Sequence, residues 1–243
     1  MKPTRTPSPA EQGLLSAAIG GHVAALRELL QQGVSPDCYD SYGEPAAHLA
    51  ARFGQAEALQ VLLASGANVR DIGPIGQRLL HCMAPYPAVH GVIDDAIHRG
   101  ADIEARNDAG QTPLMTATLN SCVAGLDALL ARGAAVDVRD HEGSNVLLLF
   151  VRGCGAHWPP REAVSRLRLL RDLVVLGVDP LQHGVQGDNA VTAAARGGLD
   201  AVLSLFADQV GAQSVVAART APGESAVDVA AFHGHATTVQ LLL

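Results

Sequence analysis

Two groups of side chains in this sequence have the types and spacing of metal ligands. His90, Asp94 and His98 recur at every fourth residue, so on one helix they would share a face. Cys154 and His157 offer two more ligands in a Cys-x-x-His spacing. Two ligands alone do not make a zinc site, and the apolar residues between the first three indicate that their shared face points to solvent. We therefore expect no metal at either place.

His81 and Cys82 are adjacent residues with the chemistry of a base and a nucleophile. Neighbouring residues of a helix point to different sides, so this pair does not indicate nucleophilic catalysis. The sequence also lacks a glycine-rich phosphate loop after a strand pattern. It predicts no catalytic residue, no bound metal, no cofactor and no enzymatic activity.

The stretch DAGQTPLMTATLNS at 108–121 shows the structural element that recurs along the chain. Asn107 and Gly110 suit the first and fourth positions of a type I turn, and Thr112 suits the cap of a helix that starts at Pro113. The turn glycine recurs at positions 43, 76, 110, 143, 187 and 223. A second series at 33, 66, 100, 133 and 177 follows apolar helical patterns, where glycine suits a left-handed helix end. The repeating unit is a turn, a helix, a short break, a second helix and a glycine.

A period of about 33 residues is typical of a solenoid, and the chain resembles the ankyrin-repeat family. GQTPLMTA at 110–117 is closest to the family's Gly-x-Thr-Pro-Leu-His-x-Ala, with Met115 in place of the histidine. GEPAAHLAARFG at 43–54 keeps His48 but has lost the Thr-Pro-Leu order. The resemblance implies an all-α repeat fold, an ankyrin solenoid of helix-turn-helix units with short β-hairpin or turn fingers. It also implies that His48 and His81 make structural hydrogen bonds between neighbouring turns.

We expect a disordered lead-in at residues 1–9 and one ankyrin-repeat domain at 10–243 with about seven units. Pro85 and Pro87 predict a short first helix in the third unit. The expected units are about 10–39, 40–72, 73–106, 107–139, 140–183, 184–219 and 220–243.

The fifth unit carries an insertion, GCGAHWPPREA, at 153–163. Because its two prolines exclude helix interior and Trp158 supplies a large apolar surface, we interpret it as a binding loop. In the alternative, Trp158 folds back and fills a gap between helices. The last residues, TTVQLLL, lack the polar outer face of a terminal repeat, so we expect either a truncated chain or a covered end.

Composition narrows the class of partner and the compartment. The net charge of -7 disfavours nucleic acid, and the chain has neither an 18-residue apolar run nor a signal peptide. The 4 cysteines are widely spaced, which fits reduced thiols in a cytoplasmic protein. Arginine greatly outnumbers lysine and alanine is frequent, as in proteins from GC-rich bacterial genomes. We expect a protein that is monomeric by itself, with no membrane partner.

The resemblance implies that a partner lies on the concave face, formed by the turn tips and the inner sides of the first helices. Most of the aromatic residues fall at these outward positions by register, whereas Phe150 and Phe206 fall at buried ones. Aromatic residues and arginine are enriched at interfaces, although in the alternative the rings only cover neighbouring repeats. The predicted partner-binding residues are Tyr39, Tyr42, Glu44, Arg52, Phe53, Ile75, Tyr86, Arg106, Asn120, Arg139, Arg152, Trp158, Arg196 and Phe232.

These observations support a non-catalytic scaffold that binds one protein partner on its concave face. The resemblance allows narrower roles, such as an inhibitor, an immunity protein, an adaptor or an effector delivered into a host cell. The alternative is a targeting or substrate-recognition module of a longer enzyme or effector whose activity lies outside this chain.

Overall fold

Helices account for the regular structure of this chain. The computed structural model describes residues 6–153 and 160–243, and at 160 and 161 it describes the backbone alone. The described residues form seven helix pairs and no strand, with isolated β-bridges at Tyr39–Pro45 and Arg219–Ser225. None of the described helices is both long and apolar enough to span a membrane.

The centre of the predicted insertion lies outside the described residues. Cys154, His157 and Trp158 all belong to this segment. The binding-loop interpretation of Trp158 therefore stays a prediction. At the other end of the chain, the first helix begins at Pro9, where Ser8 and Glu11 form a capping box, so the helix starts within the expected lead-in.

The first compact unit comprises Met1–Ala117 and Ala124–Ala134, and we call it the N-terminal unit. Its helices are α1 (Pro9–Gly20), α2 (Val23–Gln31), α3 (Ala46–Arg52), α4 (Ala56–Ala64), α5 (Leu79–Met83) and α6 (Ile93–His98), followed by most of α7 (Pro113–Leu119) and α8 (Val123–Leu130). The first helices α1, α3 and α5 stack in order, while α2, α4 and a 3-10 segment at Pro87–Val92 stack behind them.

The second compact unit comprises Thr118–Val123 and Ala135–Leu243, and we call it the C-terminal unit. Its helices are α9 (Val146–Gly153), α10 (Pro160–Val175), α11 (Ala190–Gly197), α12 (Asp200–Val210), α13 (Ala212–Ala217), α14 (Ala226–Phe232) and α15 (Ala236–Leu242). The first helices α9, α11 and α14 stack in order, and α12 packs against both α10 and α15.

The turn before each first helix, which we call the finger, forms for the reason that the sequence suggests. Asn107 Oδ1 accepts hydrogen bonds from the N–H groups of Ala109 and Gln111 at 3.0 and 2.9 Å, and Gly110 N–H closes the turn on the Asn107 carbonyl. Gly110 has a φ of 76°, which glycine adopts at no steric cost. Every glycine of the two series has a positive φ, so the register read from the sequence is confirmed.

Two local departures from the regular unit change which residues share a face. The third unit has a first helix of only 5 residues, and Pro87 begins a 3-10 segment that precedes α6 and takes the place of the first part of the expected second helix. The sixth unit holds the additional helix α13, which follows Gly211 and was not expected. Neither departure interrupts the stacking, since α4 packs on the 3-10 segment and α11 packs on α14.

The core is made mainly of alanine, leucine and valine. Short helices that carry alanine can approach closely, and larger leucines fill the layer between first and second helices. Phe150 and Phe206 are fully buried, as their register predicted. In the same structure Tyr42 is 81% exposed, although aromatic residues are scarce in this chain.

Replacing Leu129 by alanine should lower the free energy of unfolding by about 2 to 5 kcal/mol, because Leu129 is fully buried and alanine leaves a cavity. Tyr42→Ala removes an exposed ring and should cost less than about 0.5 kcal/mol. Urea denaturation of both variants checks this expectation. Equal losses of stability would show that Tyr42 belongs to the core.

Candidate functional site

Apolar side chains are exposed at equivalent positions of the second and third repeats. Tyr42 and Ile75 lie at the finger tips, one residue before the turn glycine, and are 81% and 66% exposed. Phe53 and Tyr86 lie ten residues after the turn glycine and are 53% and 38% exposed. Ile72 is exposed at the base of the third finger. We call these five residues the exposed apolar set of the N-terminal unit.

Ile75 combines exposure with a backbone conformation that disfavours its side chain. Its φ of 53° lies in the left-handed region, where a β-branched residue is uncommon. Its carbonyl accepts a hydrogen bond from Asp108 N–H at 3.1 Å, which ties the third finger to the fourth. The fourth finger therefore holds the Ile75 side chain outward, in a backbone conformation that costs energy locally.

Two residues predicted to face a partner are tied into the fold instead. Glu44 is buried, because its backbone pairs with Asp40 across the finger and turns the side chain inward. Tyr39 is partly buried and its hydroxyl donates to the Asp71 carboxylate of the next repeat. The exposure expected for Glu44 is thus wrong, and Tyr39 joins two neighbouring fingers.

The arginines at the ends of first helices fold back onto acids of the fingers. In the N-terminal unit, Arg52 Nη2 lies 3.3 Å from Glu44 Oε1 and donates to Gln77 Oε1 at 3.2 Å. In the C-terminal unit, Arg196 makes a two-point contact with the buried Asp188, at 2.5 and 2.8 Å. The acid and the arginine are eight residues apart in each pair, which places a finger side chain beneath the helix end.

Arg152 extends the same arrangement between two repeats of the C-terminal unit. Its guanidinium lies 3.6 Å from Asp188 and 3.8 Å from Glu142, and it donates to Gln186 Oε1 at 3.3 Å. Neutralising a buried acid is a structural task, because an unpaired buried carboxylate would be costly. Arg152 and Arg196 therefore stabilise the finger side of this unit.

The other predicted residues are exposed but have different surroundings. Phe232 is 88% exposed at the end of α14 and makes an edge contact with the ring of His233. Arg106 is exposed and donates to the Gly110 carbonyl of its own finger at 2.6 Å. Asn120 and Arg139 are also exposed. A role of these residues in binding stays a prediction.

His81 makes the structural hydrogen bonds that the resemblance implies. Its Nδ1 accepts from Arg78 N–H at 3.2 Å, and its Nε2–H donates to the Gln111 carbonyl of the next finger at 2.9 Å. Burial lowers the pKa of His81, so the neutral ring is favoured, although these backbone contacts oppose the shift. The expectation for His81 is confirmed.

His48 occupies the same register, but the expectation for it is wrong. Both of its ring nitrogens are buried without a hydrogen-bond partner. For Nδ1 the reason lies at Pro45, which stands where the third repeat has Arg78 and has no N–H to donate. The Nδ1 atom instead lies against Gly73, where the Cβ of any other residue would come within 2.8 Å of it.

His48 belongs to a buried cluster with Glu44 and Cys82. One ligand atom of each residue lies within 4.8 Å of those of the other two. Burial lowers the pKa of His48 to about 3, against the effect of Asp71, so the ring is neutral at neutral pH. Burial likewise raises the pKa of the Cys82 thiol to about 12 and raises the pKa of Glu44, which Arg52 opposes.

His90, Asp94 and His98, which have the spacing of metal ligands in the sequence, have separate surroundings in the structure. His90 lies in the 3-10 segment and its Nε2 contacts the Ala84 carbonyl at 3.1 Å. Asp94 forms a two-point ion pair with Arg132 at 2.6 and 2.7 Å, while His98 is exposed. The residues of the buried cluster were missed because 34 positions separate His48 from Cys82. The proline at position 45 was the available signal.

Pro45→Thr should raise the free energy of unfolding by about 1 kcal/mol in metal-free buffer. Threonine fits the extended backbone at this helix cap, and its N–H and hydroxyl supply a donor for His48 and a cap for α3. Loss of the proline offsets part of this gain by widening the unfolded ensemble. Arg78→Pro makes the reverse change at His81 and should destabilise by about 1 to 3 kcal/mol. Parallel chemical denaturation measures both, and a destabilising Pro45→Thr contradicts the explanation.

Ile75→Gly should raise the free energy of unfolding by up to about 1 kcal/mol. The left-handed conformation costs about 1 to 2 kcal/mol for an ordinary residue, and the flexibility of glycine in the unfolded chain returns part of that. Ile72→Gly is the matched control, since Ile72 is exposed without a positive φ and should be destabilised. Equal destabilisation of the two variants in thermal unfolding would show that Ile75 is not strained.

Comparison with known proteins shows which of them share this arrangement of helix pairs. Residues 14–63 match a family model described as ankyrin repeats (many copies). The ankyrin repeat domain of human ASB11 superposes with a TM-score of 0.78 at 23% identity, covering 97% of this chain and 96% of that domain. The ankyrin repeat domain of Bcl-3 superposes with a TM-score of 0.73 at 22% identity, covering 98% and 99%.

Similar sequences occur as parts of larger proteins. Glycerophosphocholine phosphodiesterase gde1 of Schizosaccharomyces pombe is 24% identical over 196 residues, which are 78% of this chain and 17% of that protein. The potassium channel AKT2/3 of Arabidopsis thaliana is 33% identical over 136 residues, 55% of this chain and 16% of the channel. Human B-cell lymphoma 3 protein is 27% identical over 144 residues, 56% of this chain and 32% of that protein. This chain thus spans less than a third of each of these relatives.

Proposed function

We propose that this ankyrin-repeat chain is a non-catalytic scaffold that binds a protein partner through the exposed apolar set of its N-terminal unit. The main support for this proposal is the exposure of four apolar side chains at matching positions of two stacked repeats, namely Tyr42, Phe53, Ile75 and Tyr86. Such a surface suits the role of an inhibitor, an immunity protein or an adaptor.

The register of these residues supports a single binding surface. Helices α3 and α5 pack directly together, and packed helices lie about 8 to 10 Å apart. Phe53 and Tyr86, at the same position of their repeats, are therefore neighbours on one side of the unit. Tyr42 and Ile75 occupy the two finger tips on that side. Aromatic and aliphatic side chains at such spacing match the anchors that dominate protein interfaces.

The energetics of the surface favour a protein over a charged ligand. Arg52 is engaged with the buried Glu44, and Arg106 donates to its own finger, so charges near the set serve the fold. Exposed rings lose little conformational entropy on binding and bury large apolar areas. A folded protein surface with apolar pockets is the partner class that uses these properties.

The cysteines support a reducing compartment such as the cytoplasm. In the part of the chain that the structure describes, Cys38, Cys82 and Cys122 are thiols and not disulfides. Disulfides are rare where thiols are kept reduced. A catalytic role is not part of the proposal, because His48 and Cys82, whose pKa values are shifted far from their ordinary values, lie in the buried core rather than in an open cleft.

A second candidate function is a targeting or substrate-recognition module of a longer enzyme or effector. The specific observation is the similarity to gde1, which covers 78% of this chain but 17% of that phosphodiesterase. The mass of the native protein in its source cells separates the two candidates. A native species much larger than 25.1 kDa that carries a second domain favours the module.

Affinity capture from a source-cell lysate tests the proposed surface. The bait is compared with a variant carrying Tyr42→Ala, Phe53→Ala and Tyr86→Ala, which removes exposed rings and should leave the fold intact. The variant should lose the partner. With the purified partner, its affinity should fall by about 30-fold or more, since a single anchor contributes about 2 kcal/mol.

The matched control removes exposed apolar side chains elsewhere. Val164→Ala, Val175→Ala and Leu176→Ala affect exposed residues of the C-terminal unit and should leave capture unchanged. Circular dichroism and melting curves show whether both variants keep the fold. Retention of the same partner by the ring-free variant would refute the assignment to this surface.

A further inference from the structure

We propose that Glu44, His48 and Cys82 form a zinc-binding site inside the N-terminal unit. This inference does not depend on the proposed partner surface. The three residues are buried and their ligand atoms lie within 4.8 Å of one another. Tetrahedral zinc with bonds of about 2.0 to 2.3 Å holds its ligands about 3.3 to 3.8 Å apart. Rotations of the Glu44 and Cys82 side chains that close about 1 Å would complete the geometry.

The unpartnered nitrogens of His48 are the observation that points to a ligand. A buried polar atom without a hydrogen-bond partner destabilises the folded state, and His48 has two such atoms. His81 shows how the same position is normally satisfied, with Arg78 N–H on one side and Gln111 on the other. Because Pro45 removes the N–H donor, a lone pair of His48 remains available for a metal.

The donor set selects the class of metal. An imidazole nitrogen, a thiolate sulfur and a carboxylate oxygen together suit zinc, whereas magnesium and calcium prefer oxygen ligands alone. Gln77 Oε1 lies 3.5 Å from Cys82 Sγ, so its amide oxygen or a water can take the fourth position. Gln77 and Arg52 are only partly buried and form the outer edge of the site.

The net charge around the cluster is compatible with a bound zinc ion. The carboxylates of Asp40, Glu44 and Asp71 outnumber the guanidinium groups of Arg52 and Arg78 by one. Zinc binding displaces the Cys82 thiol proton to solvent, so the site gains one positive charge and becomes neutral. The Arg52 side chain is 38% exposed and can turn toward solvent when Glu44 binds the metal.

The site would join two neighbouring repeats. Glu44 and His48 belong to the second repeat, at the finger and on α3, whereas Cys82 lies on α5 of the third. A metal bound only in the folded state stabilises that state by mass action. Zinc would therefore strengthen the packing of α3 on α5, beside the exposed apolar set.

Metal content and cobalt spectroscopy test the proposal on the full chain. After metal removal, dialysis against zinc should leave one zinc per chain and raise the melting temperature. Cobalt(II) in place of zinc should give a sulfur-to-cobalt charge-transfer absorption, which added zinc abolishes. Cys82→Ser should lose this absorption, and His48→Gln should retain less than a tenth of the zinc.

Matched controls use the same residue types outside the cluster. Cys122→Ser and His98→Gln should keep both the zinc and the cobalt absorption, and circular dichroism reports whether each variant folds. A wild-type protein that retains no zinc and shows no cobalt–sulfur absorption overturns the proposal, whatever the variants do. Loss of the absorption in Cys122→Ser with retention in Cys82→Ser overturns the assignment of residues.

Discussion

No repeat of this protein can bury its own apolar surface, so the burial of each face depends on the next repeat. Helix α3 has 7 residues and α5 has 5, whereas isolated helices shorter than about 12 residues are marginal in water. Their stability must come from stacking, which the N-terminal unit achieves through α1, α3 and α5 and the C-terminal unit through α9, α11 and α14. Alanine and leucine serve this purpose because flat helix faces pack closely. The core then needs few aromatic rings, so a ring that is exposed to solvent points to a binding surface.

Stacking also explains why two histidines of equal register behave differently. Each finger offers one backbone N–H at the start of its first helix, and His81 uses the one supplied by Arg78. Pro45 withdraws that donor from His48, while stacking still buries the ring. The loss of one backbone N–H thus converts a position that makes structural hydrogen bonds into a buried ring whose nitrogens have no hydrogen-bond partner. The proposed zinc site and the explanation for Pro45→Thr both rest on this difference.

On the finger side of each compact unit, some side chains stabilise the fold and others remain exposed for binding. Arg52 and Arg196 neutralise buried acids of their own repeats, so their charges contribute to the fold. The sequence predicts outward positions for these arginines, but it did not show that Glu44 and Asp188 are buried and paired with them. Beside them, the N-terminal unit exposes Tyr42, Phe53 and Ile75. This distribution favours a partner held by anchors rather than by long-range charge.

The sequence by itself determined the repeat register, the finger glycines, the burial of Phe150 and Phe206 and the ankyrin-repeat fold. These features depend on local chemistry, since a positive φ selects glycine and a 33-residue period repeats the same contacts. The tertiary structure alone decided that Glu44 turns inward and that Cys82 meets His48 across two repeats. The first depends on side-chain direction within the finger and the second on a neighbour more than 30 residues away, and local periodicity encodes neither.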